Sequence, residues 1–475
     1  MIIDLKKLTI KSVHQHLVGG DFTAVELAES YLKNIKAKNP EINAYLEVYG
    51  DVLDQAKEAD KKIKNKKAEI LTGIPMAIKD NILVKGRIAS SASKILENYK
   101  ATYDATVIKK LKDQNAVFLG RTNMDEFAMG GSTENSAFGV VKNPNDLNRV
   151  AGGSSGGSVA AVAMDGALAA LGSDTGGSVR QPASFCGVVG FKSTYGAVSR
   201  FGLMAMGSSL DQIGPIGKTV EDTEILFKEI SGKDKMDSTT GMFEKYFSHK
   251  AGKKPVIGVP WHFMKDGGID KAVIKNLEES IKKFEKAGYE VKEITIPNIK
   301  YSLAVYYIIM PAEASTNLSR FDGVKYGLRK DGANLLEDYL ETRGTGFGKE
   351  VRRRILLGTY VLSSGYYDAY YNKANAVREV IRQDFKNAFK DVDMILTPTA
   401  PTPAFKIGEK ANDPLQMYLA DIFTVTANIV GVPAISIPSG FESVDGKKLP
   451  LGIQLMAPWN CEQSLFDAGK RFLSE

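Results

Sequence analysis

Histidine and cysteine are scarce in this sequence, and their scarcity limits the sites it can build. Among its 475 residues are two cysteines and four histidines, namely Cys186, Cys461, His14, His16, His249 and His262. The two cysteines have neither a zinc-ribbon nor a disulfide spacing, so a reducing, cytoplasmic setting is expected. His14 and His16 lie two positions apart on a predicted helix and cannot face one metal ion together. We therefore expect no metal site in this chain.

Long apolar runs and a large net charge are also missing. No apolar run approaches the roughly 20 residues of a membrane span, and residues 1–7 lack the apolar segment of a signal peptide. Lysine and arginine number 62 against 56 aspartates and glutamates, a formal charge of +6 that does not by itself indicate a nucleic-acid partner. A hydrophobic share of 43% and a charged share of 25% are ordinary for globular proteins, so we expect a packed protein without membrane association.

The spacing of apolar residues predicts an α/β fold. The first 60 residues have a helical pattern, with a capping box at Thr23 and Glu26. From Ile70 onward, short apolar segments bounded by glycine and proline predict buried strands. The predicted strands cover residues 74–78, 116–120, 167–172, 255–259, 289–296, 392–396, 434–437 and 453–456. A helix with Val273 and Phe284 on one face precedes Gly288, and together these elements indicate a mixed sheet.

One polar stretch, Ser231 to Lys254, is the plausible linker in the chain. It has neither the length nor the low complexity of a tether. We therefore interpret it as a surface excursion within one domain.

Two glycine-serine segments lie between residues 151 and 182, in Ala-Gly-Gly-Ser-Ser-Gly-Gly-Ser and in Ser-Asp-Thr-Gly-Gly-Ser-Val-Arg-Gln-Pro. Such turns let consecutive N–H groups surround an anion, which suits either phosphate binding or an oxyanion hole. A phosphate loop would continue with Lys-Ser or Lys-Thr, whereas these continue from Ser158 and Ser178 into valine. Acyl transfer is therefore favoured over nucleotide binding, and two tight packing turns remain the structural alternative.

Ser178 is the candidate nucleophile, because it follows the possible backbone donors of Thr175, Gly176 and Gly177 in one turn. No histidine occurs between residues 17 and 248 to serve as its base. Lys79 stands out instead, since among the lysines we expect it alone to end an apolar strand. To act as a base near pH 7, its pKa would have to fall by about three units, which corresponds to about 4 to 5 kcal/mol.

The structural alternative for Lys79 is a strand-end lysine that reaches solvent or pairs with Asp80. The spacing of residues does not exclude this reading.

Three segments closely resemble the amidase signature family: Gly-Ile-Pro-Met-Ala-Ile-Lys-Asp-Asn around Lys79, Gly-Gly-Ser-Ser-Gly-Gly-Ser around Ser154, and Gly-Ser-Asp-Thr-Gly-Gly-Ser-Val-Arg-Gln-Pro-Ala around Ser178. The resemblance implies a Ser-cisSer-Lys triad, with Ser178 as nucleophile, Ser154 as bridging serine after a cis Gly153–Ser154 peptide, and Lys79 as base. It places the oxyanion hole on the N–H groups of Thr175 to Ser178. It also implies one large domain over residues 1–475, with a mixed sheet covered by helices on both faces, a helical region at 1–60 and a catalytic core at 70–220.

Residues 310–323 and 347–368 are similar to the glutaminase subunits of tRNA-dependent amidotransferases, a branch of that family. The similarity implies Arg354 as ligand of the glutamine α-carboxylate, Asp421 as ligand of its α-ammonium group, and Tyr307 as a further hydrogen-bonding group. Arg353 is the alternative to Arg354, because three arginines are consecutive. A solvated basic helix face is the structural alternative to a binding site.

The function implied by this resemblance is hydrolysis of glutamine, with ammonia passed to a B subunit that amidates Glu-tRNA(Gln). The B subunit would use ATP and Mg²⁺, and a small C subunit would complete a heterotrimer. No cofactor is then expected in this chain. The rival functions are a stand-alone amidase acting on other small amides, and a catalytically inactive docking module of the same fold.

Overall fold

The computed structural model describes residues 3–241, 254–264, 268–411 and 413–475. Residues 242–253 of the polar stretch from Ser231 to Lys254, which include His249, lie outside the described residues. Within the described ranges, no helix is long and apolar enough to cross a membrane.

The helices of the described chain are α1 (Ile10–Gly19), α2 (Ala24–Ile42), α3 (Val52–Lys64), α4 (Thr106–Asp113), α5 (Gly156–Ala163), α6 (Arg180–Cys186), α7 (Val220–Ile230), α8 (Trp261–Met264), α9 (Lys271–Lys286), α10 (Ser302–Asn317), α11 (Leu335–Gly346), α12 (Lys349–Leu362), α13 (Lys373–Ala388), α14 (Pro414–Leu419), α15 (Val425–Val430) and α16 (Glu462–Leu473). The capping box predicted for α2 is confirmed, since Thr23 accepts from the Glu26 N–H and Glu26 accepts from the Thr23 N–H. This cap satisfies backbone donors that the first helical turn leaves without a partner.

The strands are β1 (Tyr45–Val48), β2 (Pro75–Lys79), β3 (Val117–Thr122), β4 (Lys142–Asn143), β5 (Asp146–Val150), β6 (Ala169–Asp174), β7 (Val189–Lys192), β8 (Gln212–Gly217), β9 (Val256–Val259), β10 (Glu290–Glu293), β11 (Met394–Pro398), β12 (Ala434–Val444) and β13 (Lys447–Met456). In the described chain, β4 and β5 form a separate two-stranded sheet, and the other strands form one sheet in the order β1-β3-β2-β6-β8-β7-β12-β13-β11-β9-β10. The sheet is mixed: β3, β2 and β6 run parallel, as do β11, β9 and β10, and the strands between these groups are antiparallel. The predicted α/β fold with a mixed sheet flanked by helices is confirmed.

Several predicted strands are present with different ends. The strand predicted at 289–296 is confined to Glu290–Glu293, because β10 is an edge strand that pairs with the short β9. The strand predicted at 434–437 continues to Val444, because β12 forms a hairpin with β13. Asp445 and Gly446 make the turn with positive φ values of 52° and 75°, as this kind of tight hairpin requires.

The first 60 residues are mostly helical, as predicted, although β1 separates α2 from α3. β1 pairs with β3 at the edge of the main sheet. Apolar residues of α1, α2 and α3 share one buried cluster with those of β2, β3 and β6. The helical N-terminal region therefore packs against the same part of the sheet that carries the catalytic candidates.

β2 and β6 position the site. They are adjacent and parallel, with Ala77 opposite Ala170 and Ile78 opposite Leu171. Their carboxyl ends consequently meet at one edge of the sheet, the place where open α/β sheets commonly bind ligands. Lys79 is the last residue of β2, and the loop after β6 contains Ser178.

Candidate active site

Lys79 is completely buried, and its amine is surrounded by hydroxyl groups. Its Nζ donates to Ser154 Oγ at 2.8 Å, to Ser155 Oγ at 2.8 Å, and to Ser173 at 2.9 Å (Oγ) and 3.3 Å (carbonyl O). The alternative of a lysine paired with Asp80 is wrong, because Asp80 pairs with Arg121 at 3.0 Å. The lysine also does not reach solvent.

Burial lowers the pKa of Lys79 to about 7, against the opposing influence of the carboxylates of Asp125, Asp174 and Asp211. Desolvation disfavours the charged amine, and neighbouring negative charges favour it. A pKa near 7 leaves a large fraction of the amine neutral at physiological pH, and this is the drop of about three units that a base at this position requires.

Ser154 lies two residues before the start of α5 and is completely buried. The Gly153–Ser154 peptide is cis, so the cis bond implied by the family resemblance is confirmed. The neighbouring Ser155 N–H donates to the Ser178 carbonyl at 3.0 Å. The backbones of the two serine-rich loops are therefore held side by side, with Lys79 beneath the first of them.

Ser178 lies in the turn between β6 and α6 and is the more accessible serine. Its residue exposure is 8%, whereas Ser154 and Lys79 are at 0%. Its hydroxyl makes no hydrogen bond to any residue that the structure describes. Catalytic hydrogen bonds are often long in ligand-free enzymes and shorten when substrate binds, so an open contact between the Ser154 and Ser178 hydroxyls is compatible with a proton relay.

The turn that carries Ser178 is held by the Asp174 carboxylate. Asp174 accepts the N–H of Gly177 at 2.9 Å and the N–H of Val179 at 3.2 Å. The Gly177 N–H is therefore not available to a substrate oxygen in this structure, although it was a predicted oxyanion donor. The N–H groups of Thr175, Gly176 and Ser178 donate to no protein atom within the described ranges and remain candidates.

Gly177 has a φ of 132°, and a Cβ built on it would lie 2.1 Å from Thr424 Oγ1. A side chain at this position would meet both a strained backbone and a filled space. The close approach of Thr424 allows its hydroxyl to donate to the Gly176 carbonyl at 2.7 Å. Glycine is thus required for the shape of the turn beside the nucleophile.

A buried ion pair between Asp174 and Arg180 stabilises the turn that carries Ser178. Arg180 donates to Asp174 through Nε at 3.0 Å and through Nη2 at 2.9 Å, and neither side chain is exposed. Arg180 also donates to Asn428 Oδ1 at 2.6 Å and to Gln454. Burial opposes ionisation of Asp174, but the Arg180 guanidinium holds its pKa well below the usual range. The pair is a well-satisfied polar network of the kind that fixes loop geometry.

Arg354 lies on the inner side of α12 and is 4% exposed. Its Nε donates to Glu350 Oε1 at 2.7 Å, and its guanidinium lies 5.6 Å from the ring centre of Tyr307 and 5.5 Å from that of Tyr418. The side chain of Arg353 is 45% exposed and pairs with the other Glu350 oxygen. Of the two arginines, only Arg354 is directed into the interior, so the reading of a solvated basic face does not apply to it.

Asp421 and Tyr307 lie within electrostatic range of Arg354. The Oδ1 atom of Asp421 is buried, and it has no hydrogen-bond partner among the described residues. Burial raises the pKa of Asp421 to about 8, against the lowering influence of Arg354. A buried acceptor without a partner costs stability and calls for a functional explanation. A cationic ligand group beside Asp421 would satisfy that acceptor and favour the ionised carboxylate.

Tyr307 stacks on Tyr418 with ring centres 3.9 Å apart, and Tyr418 donates to Glu350 at 3.0 Å. Its neighbour Tyr306 packs on the catalytic turn, since a Cβ built on Gly176 would lie 2.8 Å from the Tyr306 hydroxyl. Sequence reasoning identified Tyr307 and missed Tyr306. The helical phase of α10 could have indicated that two consecutive tyrosines face different neighbours, but not that one of them would touch this turn.

Lys192 is a second residue that sequence reasoning missed. The expectation that Lys79 alone ends an apolar strand is wrong, because Lys192 ends β7 and is 1% exposed. Its Nζ donates to the Ser193 carbonyl at 2.8 Å.

The part of the chain that the structure describes contains no group of three or more metal-ligating His, Cys, Asp or Glu side chains. Cys186 and Cys461 are buried and not joined in a disulfide.

Comparison with known proteins finds relatives that match nearly the whole chain. Residues 26–466 match the family model described as Amidase. The chain is 53% identical to the A subunit of glutamyl-tRNA(Gln) amidotransferase from Thermodesulfovibrio yellowstonii, over 96% of this chain and 94% of that protein.

Solved structures of similar proteins also match nearly the whole chain. The crystal structure of the A subunit of glutamyl-tRNA(Gln) amidotransferase from Thermotoga maritima is 45% identical, with a TM-score of 0.78 and coverage of 99% of this chain and 94% of that one. A crystal structure described as an amidase is 28% identical, with a TM-score of 0.82 and coverage of 98% and 99%.

Proposed function

The chain belongs to the amidase family, and on this basis we propose that it is the glutamine-hydrolysing subunit of an amidotransferase that converts Glu-tRNA(Gln) to Gln-tRNA(Gln). The assignment to this reaction draws on its 53% identity, over nearly the whole chain, to a protein named for that amidotransferase. The chemistry draws on one observation, the buried Lys79 amine whose hydrogen-bond partners include three serine hydroxyls.

In the proposed reaction, neutral Lys79 takes the proton of Ser154 as Ser154 takes that of Ser178. The Ser178 Oγ then attacks the side-chain amide carbon of glutamine and forms a tetrahedral intermediate. The protons return along the same path to the leaving nitrogen, which departs as ammonia and leaves a glutamyl ester on Ser178. Water activated by the same relay hydrolyses the ester to glutamate.

The negative charge of the tetrahedral oxygen would be stabilised by backbone donors of the turn. The N–H groups of Thr175, Gly176 and Ser178 are the candidates, because that of Gly177 is engaged by Asp174. Fixed donors of this kind lower the barrier without reorganising during the reaction, and losing one costs about 10²- to 10³-fold in rate.

Recognition of glutamine is assigned to the groups around α12. Arg354 would bind the α-carboxylate, and Asp421 would bind the α-ammonium group through the buried oxygen that otherwise has no partner. Tyr307, whose ring lies beside the Arg354 guanidinium, would add a hydrogen bond. A ligand with both charges would pair with both groups, whereas a simple amide would leave the buried Asp421 oxygen without a partner.

Ammonia would be used by a partner B subunit that activates Glu-tRNA(Gln) with ATP and Mg²⁺, and a small C subunit would complete the heterotrimer. We assign no cofactor to this chain. The reaction belongs to protein synthesis, and we place the complex in the cytoplasm.

Replacement of Ser178 by alanine tests the function. In the complex co-purified with its partners, glutamine-dependent amidation of Glu-tRNA(Gln) should be lost, because no acyl-enzyme can form, while amidation with added ammonia should persist. The matched control is Ser184→Ala, a buried serine of α6 at 3% exposure outside the proposed relay. Persistence of glutamine-dependent amidation in the Ser178 variant would refute the nucleophile assignment.

A stand-alone amidase is distinguished in the same preparation. The subunit function predicts weak glutaminase activity of the isolated chain that rises when partners and tRNA are added. Brisk turnover of generic small amides by the isolated chain, with no response to partners, would instead support the stand-alone amidase.

A further inference from the structure

Asp125 is a buried carboxylate for which the proposed mechanism has no role. It is completely buried and lies directly beside the loop that carries Ser154. A Cβ built on Gly153 would lie 2.1 Å from Asp125 Oδ2, and one built on Gly130 would lie 2.3 Å from Asp125 Oδ1. The carboxylate is thus enclosed between two glycines of separate loops, one of which immediately precedes the bridging serine.

The backbone of Asp125 is joined to Ser154 itself. Its N–H donates to the Ser154 carbonyl at 3.3 Å. Its carboxylate accepts the N–H of Thr133 at 2.9 Å and the N–H of Asn135 at 3.2 Å. One residue therefore connects the Ser154 loop to the loop at 130–135.

The carboxylate of Asp125 makes no direct ion pair with any described residue, although its charge is felt by Lys79. Lys79 donates to the Ser154 hydroxyl, while the Asp125 carboxylate lies against Gly153, so the lysine and the carboxylate both lie beside the Gly153–Ser154 loop. Asp125 raises the pKa of Lys79, as do Asp174 and Asp211. Burial raises the pKa of Asp125 to about 6, while the two N–H bonds and Lys79 lower it and Glu134 raises it.

We propose that Asp125 is a positioning residue of the amide-hydrolysing reaction, which fixes the Ser154 backbone and places a negative charge against the Gly153–Ser154 loop, within electrostatic range of Lys79. This inference rests on the proposed function. Without that charge, the lysine would be a weaker base and would hold its proton less firmly during the relay. With the Asp125 charge present, Lys79 remains basic enough to take the proton from Ser154. Removing this proton is the more difficult part of the proton relay.

The competing explanation is that Asp125 only fastens two loops together. A carboxylate that accepts two backbone N–H groups would do so without any effect on catalysis. The two explanations differ in the pH dependence of the reaction, because a structural fastener does not change the pH at which Lys79 loses its proton. They agree in predicting lost stability when Asp125 is changed.

The test is the substitution Asp125→Asn, made in the full chain co-purified with its partners. The side chain keeps its shape and loses its charge, so the acidic limb of kcat/KM for glutamine should move to lower pH by about one unit, the low end for a nearby opposite charge. The plateau should fall by about tenfold, since the base is weaker. Asp125 is ionised near pH 7, so its charge is present where the limb is measured.

The matched control is Asp222→Asn. Asp222 is completely buried, burial raises its pKa to about 6, and it accepts the Ile10 N–H at 2.7 Å, but it does not act on Lys79. Its variant should lose comparable stability with an unmoved acidic limb. An unmoved limb in the Asp125 variant as well, or an equal shift in both variants, would overturn the inference.

If the Asp125 variant does not fold, the reciprocal measurement replaces it. In Lys79→Met the Asp125 carboxyl should titrate at higher pH than in the wild type, as read from its infrared carboxyl band, because the neighbouring positive charge is gone. An unchanged carboxyl titration would also overturn the inference. Failure of the proposed function is recognised separately, by full activity of Ser178→Ala.

Discussion

Lys79 and Lys192 are the last residues of β2 and β7, and both are buried in the same sheet, at 0% and 1% exposure. Burial lowers the pKa of each to about 7. They differ in the groups that their amines meet. Lys79 meets the hydroxyls of Ser154, Ser155 and Ser173, whereas Lys192 donates to a backbone carbonyl. Burial prepares a neutral amine in both places, but a carbonyl has no proton to exchange, so only Lys79 can start a relay.

Both lysines also lie within electrostatic range of Asp174, which is paired with Arg180. Asp174 raises the pKa of both lysines, and Arg180 lowers that of Lys192. A depressed pKa is therefore no proof of a catalytic role, and the hydroxyl partners are the discriminating feature.

The largest effect is expected from exchanging each lysine for methionine. Lys79→Met should reduce acyl-enzyme formation on Ser178 by about 10⁴-fold or more, as loss of a catalytic base does in other serine hydrolases. Lys192→Met should retain activity within about twofold, because no reacting group contacts it. Single-turnover release of ammonia from glutamine measures both variants. A large loss in the Lys192 variant, with its fold intact by circular dichroism, would remove the distinction between the two lysines.

A smaller effect is expected when a glutamine-binding residue is replaced and both lysines are unchanged. Arg354→Ala should raise KM for glutamine by about 100-fold, the cost of losing a charge-assisted contact to a carboxylate, with a smaller change in kcat. Arg353→Ala is the matched control, since its half-exposed side chain should contribute little. Steady-state kinetics at several glutamine concentrations separate the two parameters, and an unchanged KM would contradict the assignment of Arg354.

In stability the two lysines should behave alike. The folded pKa of each, about 7, lies below the unfolded value of 10.5, so the unfolded chain binds more protons between these pH values. The free energy of unfolding should therefore rise with pH across this window, by about 1.4 kcal/mol per pH unit for each lysine. Denaturant unfolding at pH values near 7.5 and 9 measures the slope. Each methionine variant should lose an equal part of it, and a slope unaffected by either substitution would contradict the depressed values.

The smallest effect is expected from removing the Ser155 hydroxyl, one of the serine hydroxyls that contact Lys79 but have no counterpart at Lys192. Ser155 accepts from Lys79 and donates to the Ser173 carbonyl at 3.0 Å, so it orients the amine without exchanging a proton with the nucleophile. Ser155→Ala should lower kcat by about tenfold, the value of one misplaced hydrogen bond of about 1.4 kcal/mol. Burst kinetics would measure this reduction in kcat. A loss as large as that of Lys79→Met would instead place Ser155 in the relay.

The local sequence was sufficient for features that depend on neighbouring residues. The glycine turn before Ser178, the capped helix α2 and the apolar strand that ends at Lys79 could all be identified from short segments. The pairing of Lys79 with Ser154 came from family resemblance, since nothing in the spacing of residues 75 positions apart predicts contact.

Features that depend on the whole fold could not be predicted. β8 has the sequence Gln-Ile-Gly-Pro-Ile-Gly, whose glycines and proline argue against a central strand, yet it pairs on both sides. Lys192 follows the short segment Val188-Val189-Gly190-Phe191, which a glycine interrupts and which does not identify a buried strand by itself, so its burial is set by the neighbouring strands. The engagement of the Gly177 N–H by Asp174 likewise depends on side-chain geometry that the sequence does not contain.

The parallel pairing of β2 with β6 has a consequence for how the protein acquires activity as it folds. The hydrogen bonds from Lys79 to Ser154 and to Ser173 close chain segments of 75 and 94 residues. Contacts between residues so distant along the chain form slowly, because the entropy of closing the segment is lost before the contact stabilises anything. The base and its serines therefore cannot meet in a partly folded chain that contains only local structure. Newly made protein stays unable to attack amides until this half of the sheet has closed.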